Sequence, residues 1–346
     1  ALKSPAPAGY FIKMSHLRTY KPLLKLAKRL PRRAGNPMQN PPKQILVCGS
    51  LAFDHLLRFQ GSFQQYQTEY QVEALNASLP IHEYRTCYGG CGGNIAYGLG
   101  LLGVATTLLS HAGDDFEDSY RQHLFEAGVN CDYVAISPNS PISARCTIIS
   151  DDHGNQITGF YPGDAGFETR RLPSQLPHIG EIDLAHLGPE APELMVRQAE
   201  DLHQMGIPFI FDPGQWVSKF TKDDLQDLLG RARYVIGNEH EMSVLAATLE
   251  VPTAALSGMT QTLITTRAAD GVDLAFDGQQ QHVPAITVQS IVDATGSGDA
   301  FRAGLMFGLS KGNDLLAATR LGCQVAACAL GSQSPQDYVI PADGIG

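Results

Sequence analysis

The chain predicts an α/β fold, a mostly parallel central sheet flanked by helices, interrupted by two segments of a different pattern. Three observations carry this. From Gln44 onward, short β-rich runs alternate with stretches whose apolar residues recur at helical spacing, the pattern of strand–helix–strand units. Polar and glycine-rich motifs fall at or soon after strand ends, where open parallel sheets hold their ligands. Two segments, roughly 55–88 and 142–162, interrupt the alternation.

In chain order, Ile45–Gly49 is the first buried strand, continuously apolar as strands covered on both faces are. Asp54 follows soon after its end, where a turn or helix cap is the alternative to a ligand role. Leu56 to Arg85, rich in Gln, Tyr and Phe, breaks the alternation. Gly93 to Leu102 is a helix of small residues, which lets its backbone approach a ligand or another element closely. Arg145 to Phe160 alternates as a hairpin around Asp151-Asp152-His153-Gly154-Asn155, good turn chemistry. Asp183–Gly188, Pro208–Asp212, Tyr234–Asn238 and Leu263–Thr266 are further buried strands. Glu193–Met205, Asp223–Leu229 and Glu239–Ala247 are the helices between them, and Phe301 to Leu309 and Ala317 to Leu330 close the chain.

Charge divides the chain in two. Residues 1–43 hold ten Lys or Arg and no Asp or Glu, and are rich in proline. This basic extension reads as a tail outside the folded unit, with Met14 or Met38 as alternative starts. A transit peptide or a binding arm are its other readings. The remainder, read as one domain over 44–341 with a short end, is strongly acidic, with 15 basic against 35 acidic residues over 44–346. An acidic body argues against a nucleic-acid partner, since phosphate backbones demand a basic face. No apolar run approaches the roughly 18–20 residues of a membrane span. Seven cysteines over this length suit a reducing cytoplasm better than a disulfide framework. Cys87 and Cys91 have metal-pair spacing, but no second pair completes a zinc site.

The most informative string is Val292-Asp293-Ala294-Thr295-Gly296-Ser297-Gly298-Asp299-Ala300-Phe301. Gly296, Ser297 and Gly298 leave backbone N–H groups bare at the start of an apolar helix. Such a helix start, with its favourable dipole, is a ready site for phosphate or developing negative charge. Asp299, in the first turn, could take a proton from a hydroxyl attacking a γ-phosphate. The string lacks the glycine spacing of a dinucleotide fingerprint and the lysine of a Walker P-loop. Asp293 reads as a structural acceptor for loop amides.

This string resembles the C-terminal signature of the PfkB/ribokinase family of carbohydrate and nucleoside kinases, D-T-x-G-A-G-D. The resemblance runs from about Gln44 to Pro341, with further elements in family order. Ile45 to Asp54 is similar to the first strand and its substrate-binding Asp. Gly89-Gly90-Cys91-Gly92-Gly93-Asn94-Ile95-Ala96 resembles G-G-x-x-x-N-x-A. Asn238-Glu239-His240-Glu241 matches N-x-x-E, and Thr266 to Gly271 resembles T-x-G-x-x-G, with Ala268 in place of a glycine.

What the resemblance implies is a ribokinase-like three-layer fold, with a small β lid formed by the two interrupting segments, that transfers the γ-phosphate of ATP to an alcohol. Asp299 would be the base and Gly296–Gly298 the anion hole. Asp54, Gly89, Gly90 and Asn94 would hold the acceptor, the glycines also serving as a hinge for the lid. Asn238, Thr266, Gly271, Thr295 and Gly298 would meet the nucleotide, with Cys328 on the wall of the adenine pocket. Glu241 would organise Mg²⁺, mostly through water. By its residues alone, Asn238 with Glu241 reads equally as a helix cap. A monovalent cation such as K⁺ activates parts of the family.

The opening Gly49 to Asp54 string and the hairpin ending in Phe160 and Tyr161 resemble bacterial adenosine-kinase-like members. Phe160, Tyr161 or Phe167 could stack on a purine, or simply form lid core. The expected acceptor is therefore a nucleoside, adenosine first, with ribose, fructose or another free sugar as the alternative. A non-catalytic sugar or nucleotide sensor is a third reading, disfavoured by the intact Asp299. The chain is expected to be a monomer, or a homodimer pairing through an exposed lid edge.

Overall fold

The computed structural model describes residues 44–69, 78–137, 140–153, 155–163, 171–341 and 345. The basic extension, Gly154 and Phe167 lie outside the described residues. In chain order the elements are β1 (Gln44–Cys48), β2 (Ala52–Phe59), α1 (Phe63–Glu69), β3 (Ile81–Gly89), α2 (Cys91–Leu101), β4 (Thr106–Ala112), α3 (Tyr120–Glu126), β5 (Val129–Asn130) and β6 (Val134–Ile136). β7 (Ala144–Ser150) and β8 (Gln156–Tyr161) form a hairpin. Then come β9 (Ile182–Leu187), α4 (Pro192–Gln204), β10 (Phe209–Phe211), α5 (Lys222–Arg231), β11 (Tyr234–Asn238), α6 (Glu239–Leu249), β12 (Thr262–Thr266), β13 (Val272–Phe276) and β14 (Gln279–Val283). Helices α7 (Ser297–Ser310) and α8 (Leu315–Leu330) follow.

The central sheet has the order β14-β13-β12-β11-β10-β9-β1-β4-β5, with β6 also paired to β4. From β12 to β5 the pairing is parallel, and β13 and β14 add an antiparallel hairpin at one edge. Successive residues of a strand face opposite layers. Ile45 and Val47 therefore join Ile95 of α2, Leu305 of α7 and Val325 of α8 in one core. Leu46 and Cys48 join Met195 of α4, Leu228 of α5 and Leu245 of α6 in the other. Burial on both faces is why β1 is apolar from Ile45 to Cys48.

The small-residue stretch of α8 serves packing. Gly322 fits against Phe301, where an added Cβ would lie 2.8 Å from the ring. The lid is a separate sheet of order β3-β2-β7-β8, with β2 and β7 parallel and the outer pairs antiparallel. Asp151 ties its hairpin together, accepting from the N–H groups of His153, Asn155 and Phe63. Among the described residues no helix is long and apolar enough to cross a membrane.

Candidate active site

Between the lid and the carboxyl ends of the central strands lies a cleft of about 230 Å³. Asp54, Gly90, Asn94, Phe160, Thr295, Gly296 and Asp299 all line it. Residues from four distant parts of the sequence thus meet in one place. Asp54 sits in neither a turn nor a helix cap, the alternative to its expected ligand role. It is the third residue of β2, inside the lid sheet, so its side chain is presented by a strand rather than a loop. Gly89, at the end of β3, stands opposite that strand and leaves room for it: a Cβ there would fall 2.2 Å from Asp54 Oδ2. Gly90 precedes α2 with φ +84°, a left-handed conformation that spares glycine the penalty a side chain would bear.

Asn94 sits inside the first turn of α2 rather than capping it. Its Nδ2 donates to Asp299 Oδ2 at 2.8 Å. Asp299 lies in the first turn of α7, whose cap residue Gly296 has φ +77°. Thr295 N–H donates to Asp293 Oδ1 at 2.8 Å, so Asp293 does hold the loop. Ser297 Oγ donates back to Ala294 O at 2.8 Å. Arg302 Nη1 donates to Gly298 O at 3.0 Å, and a Cβ on Gly298 would come within 3.2 Å of that same nitrogen.

Two carboxyls in the cleft have raised pKa values. Burial pushes Asp54, 6% exposed, up to about 7, helped by the negative charges of Asp299 and Asp293. Burial raises Asp299 as well, while Arg302 and the Asn94 hydrogen bond pull it back down. Arg302 is one of the residues sequence reasoning missed. It forms a two-pronged pair with Asp212, Nε to Oδ2 and Nη2 to Oδ1, the latter at 2.8 Å. His186 completes the cluster, its Nε2 lying 3.0 Å from the same Oδ2. A lone arginine in the apolar run after Asp299, and an aspartate closing an apolar strand, were the available signals. Cys91, Cys146, His111, Glu190, Gln215 and Trp216 also line the cleft. They come from elements too far apart in sequence to suggest one another.

The nucleotide motifs gather at the ends of β11 and β12. Asn238 and Glu241 form a reciprocal capping box, with Glu241 N–H donating to Asn238 Oδ1 at 2.9 Å and Asn238 N–H to Glu241 Oε2 at 2.8 Å. That bond occupies one carboxylate oxygen of Glu241. Burial raises its pKa despite the Asn238 amide. Thr266 Oγ1 lies 3.5 Å from Gly237 O, joining the ends of these strands. Gly271 follows the turn after Thr266 with φ +102°, and Ala268 within that turn takes φ +47°. Cys328 is half-buried against the core on α8 and lines none of the clefts described here. Among the described residues no three His, Cys, Asp or Glu side chains gather where they could hold a metal ion. Mg²⁺ held by one carboxylate, water and phosphate oxygens fits this arrangement better than an all-protein cage does.

Comparison with known proteins decides the family. The family described as pfkB family carbohydrate kinase matches residues 60–343. The chain belongs to the PfkB family. This PfkB-family protein is 27% identical over 299 residues to the nucleoside kinase of Methanothermobacter thermautotrophicus, covering 86% of this chain and 92% of that one. Burkholderia thailandensis nucleoside kinase in complex with inosine superposes with a TM-score of 0.78 at 32% identity, covering 87% of this chain and 96% of that one. The same enzyme in complex with ADP-inosine gives a TM-score of 0.76 at 33% identity, covering 87% and 93%. The ribokinase-like fold expected from the sequence is thereby established, and the PfkB protein is an ATP-dependent kinase with an alcohol as acceptor.

Proposed function

We propose that the protein phosphorylates the primary hydroxyl of a nucleoside, adenosine first among the acceptors to be tried. The observation that carries this reading is the convergence of Asp54, Asn94 and Asp299 on one cleft at the N-terminus of α7. Asp299 removes the hydroxyl proton, and the N–H groups of the Gly296–Gly298 turn receive the charge of the transferring phosphoryl group. Asp54 accepts hydrogen bonds from sugar hydroxyls, beside Asn94 and the Gly89-Gly90 hinge. The lid, roughly 55–88 and 142–162 within a domain of 44–341, covers the acceptor and excludes water.

Phe160, 42% exposed on β8 and lining the cleft, is available to stack on a base. The nucleoside kinases of similar sequence and structure, one of them bound to inosine, support a nucleoside over a free sugar. On this reading ATP lies along Asn238, Thr266, Gly271 and Thr295 toward Cys328. Mg²⁺ would be held by the second oxygen of Glu241 through water and would neutralise phosphate charge. Potassium enters as an activator to be tested by addition. The setting we propose is cytoplasmic, and β8, exposed along its length, is the edge a homodimer would pair.

The test is ATP-dependent phosphorylation by the purified protein across adenosine, inosine, other nucleosides, ribose and fructose, with and without Mg²⁺. Turnover confined to nucleosides is expected. Turnover on ribose or fructose alone would overturn the acceptor and keep the chemistry. Binding without turnover on any acceptor would point to a sensor. Asp299→Asn should lower kcat by about 10²–10⁴ with acceptor KM little changed.

A further inference from the structure

We infer that Gln336 is a positioning residue for the transfer, holding Asn94 against Asp299 and tying both to the end of lid strand β3. This rests on the reading of Asp299 as the base. Gln336 belongs to the segment after α8, outside every motif of the sequence, and is 1% exposed. Its Nε2 donates to two acceptors, Asn94 Oδ1 at 2.8 Å and Tyr120 Oη at 2.6 Å. Tyr120, also fully buried, passes its own proton to Gly89 O at 2.7 Å.

These donations set the direction of the whole chain. Because Asn94 Oδ1 accepts from Gln336, the amide must turn its Nδ2 outward, toward Asp299. An unheld Asn94 amide could rotate and present its oxygen to the carboxylate instead, a repulsive contact. One buried amide therefore fixes which atom the base sees. Through Tyr120 it also holds the Gly89 carbonyl, next to the φ +84° residue Gly90 where the lid strand joins α2.

The groups facing Asp299 bound what a pH profile can report. They are Asp54 from β2, Arg302 from its own helix, Asp212 and His186 from the strand ends beneath, Cys91 on α2, Tyr120 on α3 and Tyr338 from the segment after α8. The Asn94 hydrogen bond favours the ionised base. Its loss therefore raises the pKa of Asp299 and moves the acid limb of the kcat profile to higher pH.

The experiment compares full-length wild type with Gln336→Met, similar in length but unable to donate, and Gln336→Asn, too short to reach both partners. Thermal melting is measured beside the kinetics. Both variants should lose about 10–100-fold in kcat, the cost of a misplaced catalytic group, with an upward-moved acid limb. Tyr120→Phe breaks only the lid link, and should raise acceptor KM while leaving the acid limb in place. A lower melting temperature with wild-type kcat and acid limb, in either folded Gln336 variant, overturns the inference and makes Gln336 structural only. Should neither variant fold, an acid limb moved by Tyr120→Phe would equally overturn it, and an unmoved limb with raised KM would uphold the lid link. Asp299→Asn serves as the separate control. If it keeps near-normal turnover, the base assignment itself fails, whatever Gln336 does.

Discussion

Two buried aspartates in this molecule behave in opposite ways. Asp212, 1% exposed, is held down to about 2: burial alone would raise it, but Arg302 and His186 outweigh that. Asp54, 6% exposed, has no cation against it among the described residues and is pushed up to about 7. The two differ in partners far more than in depth. A paired carboxylate is a structural joint; a desolvated one in a cleft without a cation is a candidate for ligand binding. On the function proposed above, sugar hydroxyls would be the donors to Asp54.

The largest effect should come from breaking the joint. Asp212→Ala leaves the Arg302 guanidinium buried without its partner and should cost about 3–5 kcal/mol in chemical denaturation. A loss below 1 kcal/mol would mean that Arg302 finds compensation elsewhere, and the contrast would weaken. Asp54→Asn should do the reverse at pH 8. It removes the ionisation of a buried carboxyl and should stabilise the free protein by up to about 4 kcal/mol, while acceptor affinity falls about 100-fold or more. Such a trade of stability against binding is what a preorganised site produces.

The pH dependence sharpens the same contrast. With its folded pKa above the unfolded value, Asp54 binds its proton more tightly in the native state. Stability from this group is present in full below the ordinary carboxylate range and declines as pH rises toward about 7. Asp212 has the opposite sign: its contribution is present above that range and is lost only as pH falls toward about 2. Denaturation measured from pH 4 to 8 should show a downward slope in wild type that Asp54→Asn flattens. The smallest effect is expected at Ala268, whose φ of +47° strains any residue with a Cβ. Ala268→Gly should add about 1 kcal/mol, read as a higher urea midpoint, with the capping box at Asn238 undisturbed.

Much of the framework was legible in the chain. The apolar runs around Ile45, Tyr234 and Leu263 became parallel strands because both faces are covered, which demands hydrophobic residues at every position. Other elements escaped. β4 carries the polar residues Thr106, Thr107 and Ser110, which break an apolar run; Thr106 Oγ1 donates to Val104 O at 3.0 Å and Ser110 Oγ to Gly49 O at 2.6 Å. The β13–β14 hairpin turns on Asp277-Gly278, both with positive φ, a two-residue turn signal between strands with little apolar periodicity. In the site, the capping-box and ligand readings of Asn238 and Glu241 proved compatible, since the cap uses only one oxygen of Glu241. The strand setting of Asp54 was not legible, because the lid sheet is built from segments some 90 residues apart in sequence, as Ser150 Oγ bonding to Leu57 O shows.

By itself the sequence determined the family, through motifs in their order, the buried strands and helices with clear periodicity, and the bare-amide helix start that carries Asp299. These are local: they depend on periodicity and on the spacing of small residues. Only the tertiary structure decided what each charge faces. Among the described residues Asp54 has no cation against it, Asp212 has Arg302, and Asn94 turns its amide nitrogen to Asp299 because Gln336 holds the oxygen. Partner choice is a matter of three-dimensional proximity inside a low-dielectric interior, and there a few ångströms decide whether a carboxyl is a joint or a site.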